Sequence, residues 1–188
     1  IAIGNIFSTG SMMHHRGTTL IPTAEPDNGA TGLYIVGGGA TGGYGAFDEA
    51  GYALDGMKIR YMSNVYEGFS LGVSYESCLE KNSGAASQTN CDGGTVASYD
   101  DVIDVVAGYS GEFEGVGIAL SYGRVMGNTQ ILAGAEYNDL DAQVYSAKLT
   151  VAGLTAIYKN HTYGDSGQLV SRTVDGDGEG SVYAFRYD

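Results

Sequence analysis

From residue 57 onward, apolar and polar positions alternate with a period of two, the signature of a β-strand with two unlike faces. Met57, Ile59, Tyr61 and Val65 alternate with Lys58, Arg60, Met62 and Asn64, which predicts a strand running to a tight turn at Tyr66-Glu67-Gly68. Phe69, Leu71, Val73 and Tyr75 then alternate with Ser70, Gly72, Ser74 and Glu76, completing a hairpin. The same unit recurs over 101–123, where Ile103, Val105, Ala107, Tyr109 and Phe113 lead through Glu114-Gly115 to Val116, Ile118, Leu120 and Tyr122. It recurs again over 145–161, turning near Ala152-Gly153, and a last strand at 181–188 places Tyr183, Phe185 and Tyr187 on one face.

The connections alternate in length. The turns are short, whereas the polar stretches near 78–99, 126–141 and 163–180 are long. An antiparallel up-and-down meander has this form, with every short turn at one end and every long loop at the other. The second face of these strands is mainly Gly, Ser, Ala and Thr with sparse charges, too bland for a well-solvated outer surface. It suits the inner wall of a wide, water-filled barrel whose apolar face meets lipid. Aromatics near strand ends (Tyr66, Phe69, Tyr75, Tyr99, Phe113, Tyr122) fit interfacial girdles. A soluble sandwich with an aromatic core is the competing reading.

The first fifty residues break the pattern. A strand stub at 1–9 precedes a segment, 10–56, without sustained alternation, and the barrel-wall meander follows at 57–188. A long segment lacking regular pattern is uncommon in a compact domain. In a wide barrel it would fold into the lumen or cover the mouth. The chain opens on IAIGN and closes on SVYAFRYD, both mid-pattern, so a piece of a longer barrel is expected.

Composition narrows the classes. The 188 residues carry 9 Lys plus Arg against 22 Asp plus Glu, a formal net charge of −13, which excludes a nucleic-acid partner because phosphate would be repelled. Thirty-one glycines exclude a helical bundle, and 43% hydrophobic residues exclude a disordered chain. No run of 18 apolar residues occurs, so a transmembrane helix is not expected, a statement that leaves membrane strands open.

Candidate chemistry is sparse. Cys78 and Cys91 enclose a short polar stretch and read as a local disulfide in an oxidising compartment, with two free thiols as the alternative. Asp175, Asp177 and Glu179 have the carboxylate density of a calcium loop but lack the EF-hand spacing, so calcium is a weak candidate beside a solvated loop. His14-His15 reads as a loop pair rather than a metal site. GGGATGG at 37–43 is not a phosphate loop, since no G-K-[ST] follows. His14, His15 and His161 lack a recognisable nucleophile and acid pattern, so no enzyme and no required cofactor is expected.

MKIRYMSNVYEGFSLGVSYES, DVVAGYSGEFEGVGIALSYG and QVYSAKLTVAGLTAIYKN, three hairpins in series, resemble the general-diffusion porins of Gram-negative bacteria, in particular the alphaproteobacterial type. The resemblance covers about 57–163, with 181–188 matching by pattern only. It implies an outer-membrane β-barrel of sixteen strands in the complete protein, a homotrimer, and contact with lipid and lipopolysaccharide. The implied function is passive diffusion of ions and small hydrophilic solutes through a water-filled channel. It also implies that 10–56 is the inserted constriction loop, with Glu25, Asp27, Asp48, Glu49 and Asp55 as its candidate carboxylates. By parity of alternation the opposing wall would carry Lys58, Arg60, Lys148, Lys159 and Arg186, with Lys58 and Arg60 foremost because they directly follow the loop. The acidic balance predicts a lumen and mouth attractive to cations. The alternatives are a secreted or surface-layer adhesive β protein, and a substrate-specific outer-membrane channel.

Overall fold

A computed structural model describes residues 1–6, 8–14, 56–79, 99–129, 136–166, 168–171 and 178–188. The described residues are all-β apart from one short helix. Its elements are β1 (Ala2–Ile6), α1 (Thr9–Met13), β2 (Gly56–Met62), β3 (Phe69–Leu79), β4 (Tyr99–Phe113), β5 (Val116–Thr129), β6 (Leu140–Val151), β7 (Leu154–Gly164) and β8 (Gly178–Tyr187). All eight strands form one antiparallel sheet in the order β1-β2-β3-β4-β5-β6-β7-β8, each strand paired with its sequence neighbours. The sheet is open, with β1 and β8 at its two edges.

The short turns form as the sequence implies. Glu67-Gly68, Glu114-Gly115 and Ala152-Gly153 all have positive φ at both positions, for instance 49° and 79° at Glu114-Gly115. Two successive positive φ values define the type I′ hairpin turn, whose twist matches that of the flanking strands. A side chain at the second position is strained there. Gly115→Ala should therefore cost about 1 kcal/mol, the conformational penalty alone, because a Cβ at Gly115 meets nothing within 4 Å. Gly68→Ala should cost more, since its Cβ would run into the Ser110 carbonyl oxygen and the Tyr109 ring. Parallel denaturant titrations of the two variants check the order.

One departure from the expected pattern sets a register. β2 ends at Met62 rather than continuing through Val65. The pairing is Met62 with Gly72, yet the turn closes with Tyr66 opposite Phe69. Residues 63–65 thus face the two residues 70–71, a bulge of one residue. Ser63 bridges it, its amide donating to the Leu71 carbonyl at 2.8 Å and its hydroxyl accepting from the Leu71 amide at 2.9 Å. Further register shifts lie between Asp100 and Ile103, where Asp101 has φ of 50°, and between Thr162 and Gly164.

The second departure is α1. No helix is expected at the border of the 1–9 and 10–56 segments, and five residues are too few to hold a helix by propensity alone. Contacts with β2, β3 and β4 supply what propensity lacks.

Candidate functional site: a buried polar wall

The two faces of the sheet are inverted relative to a soluble protein. One face carries the large apolar side chains and is exposed. Its rows run across strands as direct partners: Ile3, Ile59, Tyr75, Ile103 and Met126 in one, and Phe69, Tyr109, Leu120, Ala147, Tyr158 and Tyr183 in another. Leu120 is 47% exposed, Phe69 62% and Phe185 71%. Adjacent rings stack on this face, with centroids 4.8 Å apart for Phe69–Tyr109, 5.4 Å for Tyr122–Tyr145 and 5.0 Å for Tyr158–Tyr183.

This outer apolar belt has a boundary. Moving toward the long connections, Tyr75, Tyr122, Tyr145, Tyr158 and Tyr183 end the apolar run on β3, β5, β6, β7 and β8, and the next outward positions are Ser77, Arg124, Gln143, Asn160 and Ser181. Arg124 forms a two-pronged pair with Asp141, both contacts at 2.7 Å. Asn160 donates to Glu179 at 3.0 Å and to Ser181 at 3.1 Å. The Tyr75 hydroxyl donates to Asp101 at 2.6 Å.

The opposite face is buried although much of it is polar. Lys58, Ser74, Glu76, Asp104, Ser121, Ser146, Thr155, Lys159 and His161 all lie there with little exposure. Register lines them up as partners: Lys58 with Glu76, Ser74 with Asp104, and Ser121 with Ser146, which in turn meets Lys159. Lys58 and Glu76 form an ion pair with both side chains almost fully buried. Toward the long connections this face turns apolar, with Val102, Val125, Leu140, Ala142 and Val144 in contact.

α1 lies on the polar face. The Thr9 amide donates to the Ser74 hydroxyl at 3.1 Å, and the Gly10 amide donates to the Asp104 carboxylate. At the other end His14 Nδ1 and the Ser121 hydroxyl are hydrogen-bonded at 2.7 Å, and Ser121 is bonded onward to Ser146. Wall glycines make the seat. A side chain at Gly72 would collide with Thr9 and Met13, one at Gly108 would press on Met13, and one at Gly123 would collide with the His14 ring.

The five predicted wall cations, Lys58, Arg60, Lys148, Lys159 and Arg186, all sit on this face, as the parity of alternation requires. They are not one group. Lys58 is paired with Glu76, Arg186 pairs with Asp188 at 2.7 Å, and Lys148 and Lys159 lie on β6 and β7 on a diagonal. Sequence reading missed Glu76 and Asp104 as partners, and it missed the His14–Ser121–Ser146 chain. Glu25, Asp27, Asp48, Glu49, Asp55, His15, Cys91, Asp175 and Asp177 lie outside the described residues, as does the side chain of Cys78, so the expected loop carboxylates and disulfide lie outside them too. Glu179 lies on the outer side of β8, bonded to Asn160. Among the described residues no group of three His, Cys, Asp or Glu side chains could hold a metal ion, and no helix is long and apolar enough to cross a membrane.

Comparison with protein-family models, curated proteins and solved structures finds no match.

Proposed function

We propose that this chain forms wall of an outer-membrane β-barrel of the porin type, which lets ions and small hydrophilic solutes diffuse through a water-filled channel. The observation that carries the reading is the inverted sheet, with large apolar and aromatic side chains exposed and Ser, Lys, Glu, Asp and His buried on the opposite face. In water, each large apolar side chain left out of a core forfeits about 1.5–3 kcal/mol. Monomeric soluble proteins rarely expose an apolar patch spanning a whole sheet. Against lipid chains the same face is in its matching solvent, and the polar face belongs to the lumen.

The dimensions support this. On β4 the outer positions stay apolar or glycine from Ile103 to Phe113, roughly 34 Å of strand at about 3.4 Å per residue. A tilt of about 40° reduces that to about 26 Å of height, close to the apolar band of outer-membrane barrels. The tyrosines at the loop-side boundary then lie at headgroup level.

α1 on the inner face favours a wide barrel. Eight strands close around a space that side chains alone fill, whereas a helix with side chains is about 10 Å across. The open edges of β1 and β8 accordingly receive further strands, in keeping with the sixteen strands and the trimer that the porin resemblance implies. The exposed aromatics of β8, Tyr183, Phe185 and Tyr187, would gain neighbours there. The channel itself performs no chemistry and selects by size and charge.

The test is current across a planar lipid bilayer after insertion of the detergent-extracted full-length protein. Stable unitary steps in salt solution are expected, and a salt gradient then gives the charge preference. Folded, inserted protein that passes no current rejects an open pore and favours an adhesive surface role.

A further inference from the structure

We propose that Lys148, Thr150 and Arg186 form an oxyanion subsite on the inner wall, which holds the phosphate or carboxylate group of a passing solute. The inference deepens the channel reading and rests on it for the solute, while the binding itself is measurable without current.

Charge on the inner face is sorted by strand. Among the described residues its carboxylates, Glu76, Asp100, Asp104 and Glu112, all belong to β3 and β4. The inner positions of β5, β6 and β7 hold none. On β6 and β7 they include Lys148 and Lys159 together with the hydroxyls of Ser146, Thr150 and Thr155. Arg186 continues this sector on β8, directly opposite Thr155. Positive charge and hydrogen-bond donors on one surface are the chemistry that recognises an oxyanion. The sector thus reverses locally the cation attraction that the net charge of −13 predicts for the chain as a whole.

Three groups of the sector are open to a solute. Lys159 and Thr155 are buried, whereas Lys148 is half-buried and Thr150 and Arg186 are exposed. Thr150 shares the inner face of β6 with Lys148 and stands opposite Thr155. Lys148 and Arg186 flank Thr155 from the strands on either side, Arg186 directly opposite and Lys148 on the diagonal, about 7–8 Å away and within reach of a long side chain. Their two cationic heads can therefore converge on one oxyanion above Thr155. Lys148 has no carboxylate partner among the described residues, its cross-strand neighbours being Ala119 and Ile157. Arg186 donates from Nε and Nη2 to Asp188 at 3.0 and 2.7 Å, and its guanidinium has further N–H donors to offer.

The sequence contains no tryptophan, so Ala184→Trp, on the inner face of β8 opposite Ile157, is a single reporter beside the subsite. The folded full-length protein in uncharged detergent is titrated with iodide and, for reference, with neutral acrylamide. Ionic strength is held at about 0.1 M, where the Debye length is about 10 Å. The ratio of iodide to acrylamide quenching should fall about threefold in Lys148→Gln and recover in Lys148→Arg, with circular dichroism showing the sheet intact. Inorganic phosphate or acetate should lower iodide quenching when Lys148 is present and leave Lys148→Gln unchanged, and the stronger competitor identifies the preferred group. At about 1 M salt, where the Debye length is about 3 Å, the difference between parent and Lys148→Gln should vanish. Competition by phosphate or acetate in protein that passes no bilayer current keeps the subsite and rejects the open pore. Bilayer current together with iodide quenching indifferent to Lys148→Gln keeps the pore and overturns the subsite. Iodide quenching that neither oxyanion lowers overturns it as well.

Discussion

Arginine in place of Leu120 will destabilise the folded protein in a lipid bilayer by about 2–4 kcal/mol, the cost of a cation facing lipid near the midplane. Leu120 is on the outer face of β5, flanked by its partners Tyr109 and Ala147, and is 47% exposed. In a soluble protein, a substitution at such an exposed position would change stability by about half a kcal/mol or less. The sign and size of the effect therefore report the solvent of this face. The control is Ala119→Arg, one residue earlier on the inner face and aligned with Ser110 and Lys148. A cation there lies opposite Lys148, a like-charge contact that should cost about 1 kcal/mol or less, and in the proposed channel it would also shift ion selectivity. Reversible denaturant unfolding of both variants in phospholipid vesicles makes the comparison. Equal, small effects at both positions would mean that the outer face is not in lipid.

Strand positions, the tight turns and the parity of both faces are legible in the sequence because each rests on local rules. X-Gly dipeptides between alternating runs specify type I′ turns, and a period of two allots side chains to faces. The bulge at 63–65 obeys a rule that joins two such signals. If the Tyr66–Phe69 closure continued without a bulge, Ile59 would lie opposite Glu76 and Arg60 opposite Tyr75, mixing the faces. Apolar matching therefore demands one extra residue on the β2 side, and the observed Ile59–Tyr75 and Arg60–Ser74 partners show it in place. The same shift brings Lys58 opposite Glu76. α1 had no comparable signal. Thr9, Gly10 and Ser11 are poor helix formers, and the helix's stability comes from Ser74, Asp104 and Ser121, distant in sequence, and from glycines whose empty space is visible only once the strands are aligned. The wall carboxylates were hidden for a related reason. Alternation tells which face a charge occupies, but the partner across the strand depends on register.

Removing one half of the Lys58–Glu76 pair should then be the most damaging inner-face change, and removing both halves should not be. Each side chain is nearly fully buried, and they lie at directly opposed positions on β2 and β3. Lys58→Met takes the opposed charge away from a nearly buried carboxylate, and should cost about 3–5 kcal/mol. Lys58→Met combined with Glu76→Leu replaces two desolvated charges by apolar groups of similar volume and should recover most of that loss, to within about 1 kcal/mol of the parent. A double-mutant cycle by denaturant unfolding isolates the coupling. If the pair instead stood in open lumen water, screening would reduce each single effect to about 1 kcal/mol or less and the cycle would show little coupling. The cycle thus separates a closed, structural ion pair from a pore-lining one. In the proposed channel, with Lys58 paired to Glu76 and Arg186 to Asp188, Arg60 and Lys148 are the inner-face cations to vary next, Lys148 having Ala119 and Ile157 as its neighbours on β5 and β7.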